Sequence, residues 1–170
     1  ADERDNLEPR FWGALITAIQ QHNGSIGERA MKTLTASGVR LEETMDMESL
    51  ILSLLADLEQ IRDPMFLVIE DYHTIHNDRV HQNLYTLIRN MPATVHLIVT
   101  TRSDPAFPVM KMKLAGQLVD IRQDQLRFGL DDTIHYFSDL PGVAGDVALL
   151  QQIHNRAEGW AAALQIYRIS

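Results

Sequence analysis

Two acidic residues follow directly on an apolar run near the middle of the sequence. The stretch MFLVIEDYH places Glu70 and Asp71 after Phe66–Ile69. Carboxylate oxygens hold magnesium, and an acid beside such a metal can orient an attacking water. The same pattern also describes an ordinary strand end whose acids face solvent or cap the next turn. The residues alone favour neither interpretation over the other.

A second apolar run ends in residues that could bind phosphate. Val95–Val99 is followed by Thr100, Thr101 and Arg102, and a cationic or polar side chain at that place can sense a terminal phosphate. Ligands of open α/β sheets lie beyond the carboxyl ends of the strands. An apolar strand that ends in acids, next to a strand that ends in such residues, has the form of a Walker B element and its neighbour.

The sequence between the two runs indicates a βαβ unit. Phe66–Ile69 is continuously apolar and partly β-branched, which predicts a strand covered on both faces, as in parallel sheets. A helix at about 79–90 then leads to a second buried strand, Val95–Val99. The residues expected to face inward from this helix are Val80, Leu84, Leu87 and Ile88. Leu118–Ile121 is a weaker candidate for a third strand.

Helical spacing of apolar residues predicts helices on both sides of this unit. We expect a first helix from Glu8-Pro9, a long connection at 23–45 that can hold a short helical piece, and a helix from Asp46 to about Ile61. Shorter helices are expected at about 108–115, 131–139, 145–157 and 160–169. Core residues expected on the first two helices are Phe11, Trp12, Leu15, Ala18, Ile19, Met47, Ile51, Leu54, Leu58 and Ile61.

Length, charge and composition narrow the class of protein. A chain of 170 residues with 45% hydrophobic residues can enclose a core, while a net charge of −8 argues against a nucleic-acid or anionic-lipid surface. Without cysteine there is no disulfide framework or thiolate metal site. No apolar run approaches the roughly 20 residues that span a bilayer. A cytoplasmic protein that binds neither DNA nor membrane directly is the simplest interpretation.

Four segments, taken in order, resemble one known family: LVIEDYHTI, HLIVTTRSDP, QLVDIRQDQLRF and EGWAAALQ. Together they are similar to the nucleotide-binding region of the MalT-like, LuxR-type transcription regulators, a branch of the signal-transduction ATPases with numerous domains. The likeness covers essentially the whole chain. In that family the two acids are commonly Asp-Asp, whereas the first acid here is Glu70.

The resemblance implies an α/β fold and a fragment of a longer protein. We expect a partial P-loop NTPase-type parallel sheet flanked by helices at residues 1–128, followed by the start of a small helical subdomain at 129–170. The Walker A loop, G-x-x-x-x-G-K-[ST], is absent, because none of the nine glycines precedes a lysine. The parent is expected to carry that loop before Ala1, and further domains with a DNA-binding helix-turn-helix after Ser170.

The resemblance also implies roles for the site residues. Asp71 and Glu70 would be the metal-binding and water-orienting acids, and Arg102 with Thr101 would lie toward the phosphates. The parent would be a slow signalling ATPase that binds ATP or ADP with Mg²⁺ and responds to a small-molecule inducer through other domains. The fragment alone would bind no nucleotide and be inactive. The alternative is a protein-interaction scaffold with a degenerate nucleotide site. In that case Glu70, in place of the family's aspartate, would be a sign that the nucleotide chemistry was lost.

Self-association is expected as well, because the strand of the P-loop is missing from the sheet. The two predicted strands are short, uncharged and β-branched, and neither carries the lysine or proline that blunts a sheet edge. They must pair directly, accept a strand from another molecule or dimerise.

Ordinary explanations are favoured over a site for the other polar residues. His73, His76 and His81 lie near Asp71, but their spacing matches no zinc pattern, so solvated or hydrogen-bonded imidazoles are expected. His96 is expected to be a satisfied residue near a sheet end, and Trp160 a packing residue. A solvated face is expected for the mixed charges Lys111, Lys113, Arg122, Arg127, Asp104, Asp120 and Asp124.

Overall fold

A computed structural model describes residues 1–22, 24–37 and 46–169 of the chain. It divides into two compact units, Ala1–Met112 and the residues from Lys113 onward. The first unit combines helices with a small two-stranded parallel sheet, and the second contains helices and loops. The sequence-derived boundary at 128/129 lies inside the second unit. In the described residues no helix combines the length and apolar character needed to cross a bilayer.

The regular elements follow the predicted order closely. The helices are α1 (Glu8–His22), α2 (Glu28–Ser37), α3 (Met47–Leu58), α4 (Asp78–Asn90), α5 (Val109–Leu114), α6 (Leu130–Tyr136), α7 (Val147–Ala157) and α8 (Ala161–Ile169). The strands are β1 (Met65–Ile69) and β2 (Val95–Val99). The connection predicted at 23–45 contains the whole of α2, and its residues 38–45 lie outside the described part of the chain.

Local capping explains where two of these helices begin. The Asp46 carboxylate accepts a hydrogen bond from the Ser49 amide at 3.0 Å, and the Asn77 side chain accepts one from the Arg79 amide at 2.9 Å. Each bond satisfies an amide that the first helical turn leaves without a partner. The predicted start of α3 at Asp46 is thereby confirmed. The helix ends at Leu58 instead of Ile61, although Ile61 is still buried.

β1 and β2 pair directly and in parallel. The register joins Met65 to Val95 and Ile69 to Val99, with α4 as the crossover between the strands. The βαβ unit is therefore confirmed, and so is direct pairing, one of the three expected ways in which the sheet could complete itself. Among the described residues the sheet has these two strands and no third.

The prediction that β1 is covered on both faces is wrong. Met65, Leu67 and Ile69 are buried, whereas Phe66 is 64% and Val68 52% exposed. The buried set belongs to the core cluster that also contains the apolar residues of α1, α3 and α4. Because the helices cover one face, the other face remains open, and β2 is likewise exposed at His96 and at Ile98.

The core of the first unit is built mainly by α1, α3 and α4. Trp12 and Ile16 of α1 are fully buried, as are Leu50 and Leu54 of α3. The core assignment of Trp12 and Phe11 is confirmed, whereas Ala18 is exposed. On α4 the residues Val80, Leu84 and Leu87 are buried, and Ile88 is partly buried against the same cluster.

The second unit contains no strand in its described residues, so the prediction of a strand at Leu118–Ile121 is wrong. The segment has no partner strand, and Val119 is 86% exposed. Between its apolar residues, Asp120 forms ion pairs with Lys113 at 2.5 Å and with Arg122 at 2.7 Å. A segment with β-branched residues forms a strand only where another strand offers it a free edge. This segment has no such partner, and its Asp120 forms ion pairs instead.

A separate small core holds the helices of the second unit together. Its fully or nearly fully buried members are Phe137, Leu150, Ile153, Ala157 and Leu164. They come from α7, α8 and the end of α6, so the three short predicted helices are confirmed as packed elements. Trp160, expected to pack, is half exposed and lies under the Arg127 guanidinium, 5.4 Å from the ring centroid.

Candidate functional site

The carboxyl ends of the two strands bring the predicted site residues onto adjacent segments. Beyond the ladder, the Thr100 amide donates to the Ile69 carbonyl at 3.0 Å, and the Tyr72 amide donates to the Thr100 carbonyl at 3.0 Å. The segment of Glu70 and Asp71 therefore runs beside the segment of Thr100, Thr101 and Arg102. Adjacent parallel strands place their following loops on the same edge of a sheet, which is where ligands of α/β proteins lie.

Asp71 has a left-handed backbone conformation. Its φ is 52° and its ψ is 39°, a conformation that costs a non-glycine residue about 1–3 kcal/mol and that aspartate tolerates better than most. Three hydrogen bonds hold it there. The Asp71 amide donates to Thr100 Oγ1 at 3.2 Å, and the Asp71 carbonyl accepts from the amide and the hydroxyl of Thr74. Strain of this kind is concentrated at functional turns.

The side chains of the candidate residues are exposed and do not converge. The Asp71 side chain is 60% exposed, and its Oδ1 lies 3.8 Å from His73 Nδ1, which is beyond hydrogen-bond distance. Glu70, Thr101 and Arg102 are also exposed, and the Thr101 hydroxyl donates to the Ser103 carbonyl at 2.7 Å. In the described part of the chain, no group of three or more His, Asp or Glu side chains has the geometry to hold a metal ion.

Two cavities border this edge of the sheet. The larger, of about 480 Å³, lies beside the end of β1 and is lined by Glu70, Val68 and residues of α1. The smaller, of about 210 Å³, is lined by Thr101 together with His73, His76 and the Ser103–Ala106 segment. Both cavities have mixed linings, because Asp5 and Glu70 join apolar residues in the larger one and Ile75, Pro105 and Ala106 join polar residues in the smaller one.

Asn6 fixes the loop that follows the acids. Its side-chain amide donates to the Thr74 carbonyl at 2.9 Å, and its Oδ1 accepts from the amides of His76 at 2.6 Å and Asn77 at 3.1 Å. The Asn77 side chain returns a bond to the Asn6 carbonyl at 2.8 Å. Three of these bonds satisfy backbone groups of the loop that have no partner in a regular element, and the fourth ties the Asn77 side chain to Asn6. The sequence gives no signal of this contact, because the partners are about seventy positions apart.

A buried tyrosine–histidine pair lies beneath the same loop. The Tyr72 hydroxyl is 2.6 Å from His81 Nδ1, and the Phe107 ring packs on both side chains. Burial raises the pKa of Tyr72 and lowers the pKa of His81, because each charged form loses hydration. Both shifts favour the neutral forms, and in the neutral imidazole with its proton on Nε2 the Nδ1 atom accepts a hydrogen bond from the Tyr72 hydroxyl. The expectation of a hydrogen-bonded imidazole is confirmed for His81.

The remaining polar candidates are His96 of β2 and the charged residues around Asp120. His96 is the second residue of β2 and so lies close to a sheet end, as expected, and its exposed ring stacks on Phe66 with ring centroids 5.0 Å apart. Lys113 and Arg122 share Asp120, and these two cations, the Lys113 ammonium first, hold the pKa of the Asp120 carboxyl below its ordinary value. Lys113, Asp120 and Arg122 therefore form an ion-pair cluster within the mixed-charge segment that the sequence predicted.

No known protein-family model matches the chain. The family resemblance of its four segments therefore stays a prediction from the sequence.

Proposed function

We propose that this chain is the Walker B-containing part of the ATP-dependent regulatory switch of a MalT-like, LuxR-type transcription activator. One observation carries the proposal. The register that joins Ile69 to Val99 sets Glu70 and Asp71 beside Thr100–Arg102, at the carboxyl ends of two parallel strands. Acids and a cation at this edge suit a magnesium-bound phosphate.

In this proposal the acids and the neighbouring polar residues have separate roles. Asp71 would bind Mg²⁺ through its exposed carboxylate, and Glu70 would orient the attacking water. Arg102, with Thr101, would contact the terminal phosphate. ATP would be held mainly by the backbone amides and lysine of a Walker A loop, which this sequence does not contain. The fold would then be a P-loop NTPase-type sheet to which this chain supplies two strands.

The test uses a longer protein in which this chain is joined to a Walker A segment. Asp71→Asn should lower ATP hydrolysis about 100-fold or more, since a bound metal contributes several kcal/mol of stabilisation to phosphoryl transfer. Asparagine tolerates the left-handed conformation of residue 71, so the melting temperature should stay nearly constant. Phosphate release and thermal unfolding measure the two quantities.

Asp63→Asn is the matched control. Asp63 is an exposed acid just before β1, at the opposite end of the strand, and its replacement removes the same charge. Hydrolysis should stay at the level of the unmodified protein. An equal loss of hydrolysis in both variants, or no loss in Asp71→Asn, would show that Asp71 does not belong to the site.

The alternative function is a protein-interaction scaffold with a degenerate nucleotide site. Its support is that both acids are exposed and that no metal-holding cluster exists among residues 1–22, 24–37 and 46–169. A scaffold predicts that the longer protein neither binds Mg-ATP nor hydrolyses it, with or without Asp71. Calorimetry with Mg-ATP on the longer protein therefore separates the two functions.

A further inference from the structure

The side chain of His73 carries a buried nitrogen without a hydrogen-bond partner. Its Nδ1 atom is enclosed by protein and bonds to no group among the described residues. Buried side-chain nitrogens and oxygens nearly always have a partner, so one without a partner calls for an explanation. An atom that is already enclosed is out of reach of bulk solvent and of any further segment of protein. The partner of His73 Nδ1 must therefore come from the groups that surround it.

Asp71 supplies an acceptor beside this nitrogen. Its Oδ1 is 3.8 Å from His73 Nδ1. Asp71 immediately precedes the short helical turn Tyr72–Thr74, a position from which an aspartate side chain commonly accepts hydrogen bonds from the turn's amides. The Asp71 carboxylate forms no such bond. The turn therefore leaves both the carboxylate of Asp71 and the imidazole nitrogen of His73 to other partners.

The gap between the two groups is small enough for a side-chain rotation to close it. A hydrogen bond to a carboxylate measures roughly 2.7–2.9 Å, so a movement of about 1 Å is enough from the present 3.8 Å. The backbone of the turn is fixed, because the Asp71 carbonyl accepts from both the amide and the hydroxyl of Thr74. The Asp71 side chain is exposed and its terminal torsion is soft. The carboxylate can therefore turn toward His73 while the backbone stays in place.

We propose that His73 is a positioning residue for Asp71: its Nδ1–H donates to Asp71 Oδ1 and holds the carboxylate in one orientation. A neutral imidazole has a proton on one nitrogen only, and a lone pair on Nδ1 would face a negatively charged oxygen. Electrostatics therefore places the proton on Nδ1. Asp71 Oδ2 is then left to bind a cation. The hydrogen bond needs neither metal nor nucleotide, but its value for ATP hydrolysis rests on the proposed function.

Nitrogen-15 NMR of the chain, without metal or nucleotide, tests the hydrogen bond. Spectra at about pH 8.5, where imidazoles are neutral, distinguish a proton on Nδ1 from a proton on Nε2. His73 should carry its proton on Nδ1. Asp71→Gly removes the acceptor, and glycine keeps the left-handed backbone, so the proton should then move to Nε2 in most molecules. Glu70→Gln removes the same charge from the preceding residue and should leave the proton on Nδ1.

Two substitutions of His73 test what the bond does for the site, in the longer protein that includes a Walker A segment. Asparagine carries its amide nitrogen at the place of Nδ1, whereas glutamine carries it near the place of Nε2. His73→Gln should raise the Mg²⁺ concentration for half-maximal ATP hydrolysis about tenfold, as expected when a metal ligand loses the group that orients it. His73→Asn should restore the bond and stay within about threefold of the unmodified protein. Thermal unfolding should be alike in both variants.

Three results would overturn the proposal. The first is a proton on Nε2 of His73 in the unmodified chain, and the second is a proton that stays on Nδ1 in Asp71→Gly. The third is an equal Mg²⁺ dependence in His73→Gln and His73→Asn. A longer protein that hydrolyses no ATP would instead refute the proposed function, and the position of the His73 proton would then decide alone whether His73 holds the Asp71 carboxylate.

Discussion

At the scale of single residues, the candidate site depends on contacts that the sequence does not reveal. The acids Glu70 and Asp71 are recognisable because they follow an apolar run, and the structure places them at a strand end beside Thr100. The loop after them is held by Asn6 and lies over the Tyr72–His81 pair. These partners are identified only when the fold brings distant positions together.

Removal of the Tyr72 hydroxyl tests whether this pair stabilises the loop. Tyr72→Phe keeps the ring but leaves the buried His81 Nδ1 without a donor, which should cost about 1–3 kcal/mol of unfolding free energy. Tyr85→Phe is the matched control, since the Tyr85 ring also stacks on Phe107 while its hydroxyl has no hydrogen-bond partner among the described residues. It should change stability by less than about 0.5 kcal/mol. Urea unfolding measures the free energy of unfolding of both variants. Equal losses would show that the Tyr72–His81 hydrogen bond does not stabilise the protein.

At the scale of elements, periodicity predicted which segments are regular but not what covers them. β1, β2, α3 and α4 lie close to where their apolar patterns and caps put them. A continuously apolar strand has the same sequence whether helices cover one face or two, so the exposure of Phe66 and Val68 was not predictable. Leu118–Ile121 has strand composition and forms no strand, because pairing depends on a partner edge that local sequence does not describe.

The α7–α8 connection contains a position where glycine is required for two reasons. Gly159 has a φ of +73°, and a Cβ there would lie 2.5 Å from the Phe128 carbonyl oxygen. The two backbones are this close because the Phe128 amide donates to the Gly159 carbonyl at 2.9 Å. Gly142 has a similar φ of +83°, with no atom within 4 Å of the equivalent Cβ. The two glycines therefore differ in steric crowding and not in backbone conformation.

Alanine at the two positions should separate these costs. Gly142→Ala should cost about 1 kcal/mol, the price of a left-handed conformation alone. Gly159→Ala should cost at least about 1.4 kcal/mol more, equivalent to a further tenfold loss of protection, because backbone atoms must shift. Hydrogen exchange of the α7 and α8 amides gives the comparison. Similar protection in the two variants would mean that the Phe128 segment moves away without cost.

At the scale of the whole molecule, the response of stability to acid depends on which groups have lowered pKa values. Burial first, and then the neighbouring His76, lower the pKa of His81 from its ordinary 6.5, while Asp78 opposes the shift. Hydrogen bonds from Arg4 lower the pKa of Asp2 to about 2, and cationic partners lower those of Asp120 and Asp139. Asp2 and Asp139 are exposed, and the cations that share Asp120 are partly exposed, so solvent screens all these ion pairs and limits their contribution.

The sign of the His81 effect follows from proton linkage. Below about pH 6.5 the unfolded chain protonates residue 81 while the folded chain resists, so the free energy of unfolding falls as pH falls through the folded pKa. The aspartates act in the same direction, but only below their ordinary value of 3.8. Between about pH 7 and 5 the decline should therefore come mainly from His81. His81→Gln should flatten this part of a melting-temperature profile, whereas His96→Gln, at an exposed position of β2, should retain it. An unchanged decline in His81→Gln would show that the Tyr72–His81 pair does not govern the acid response.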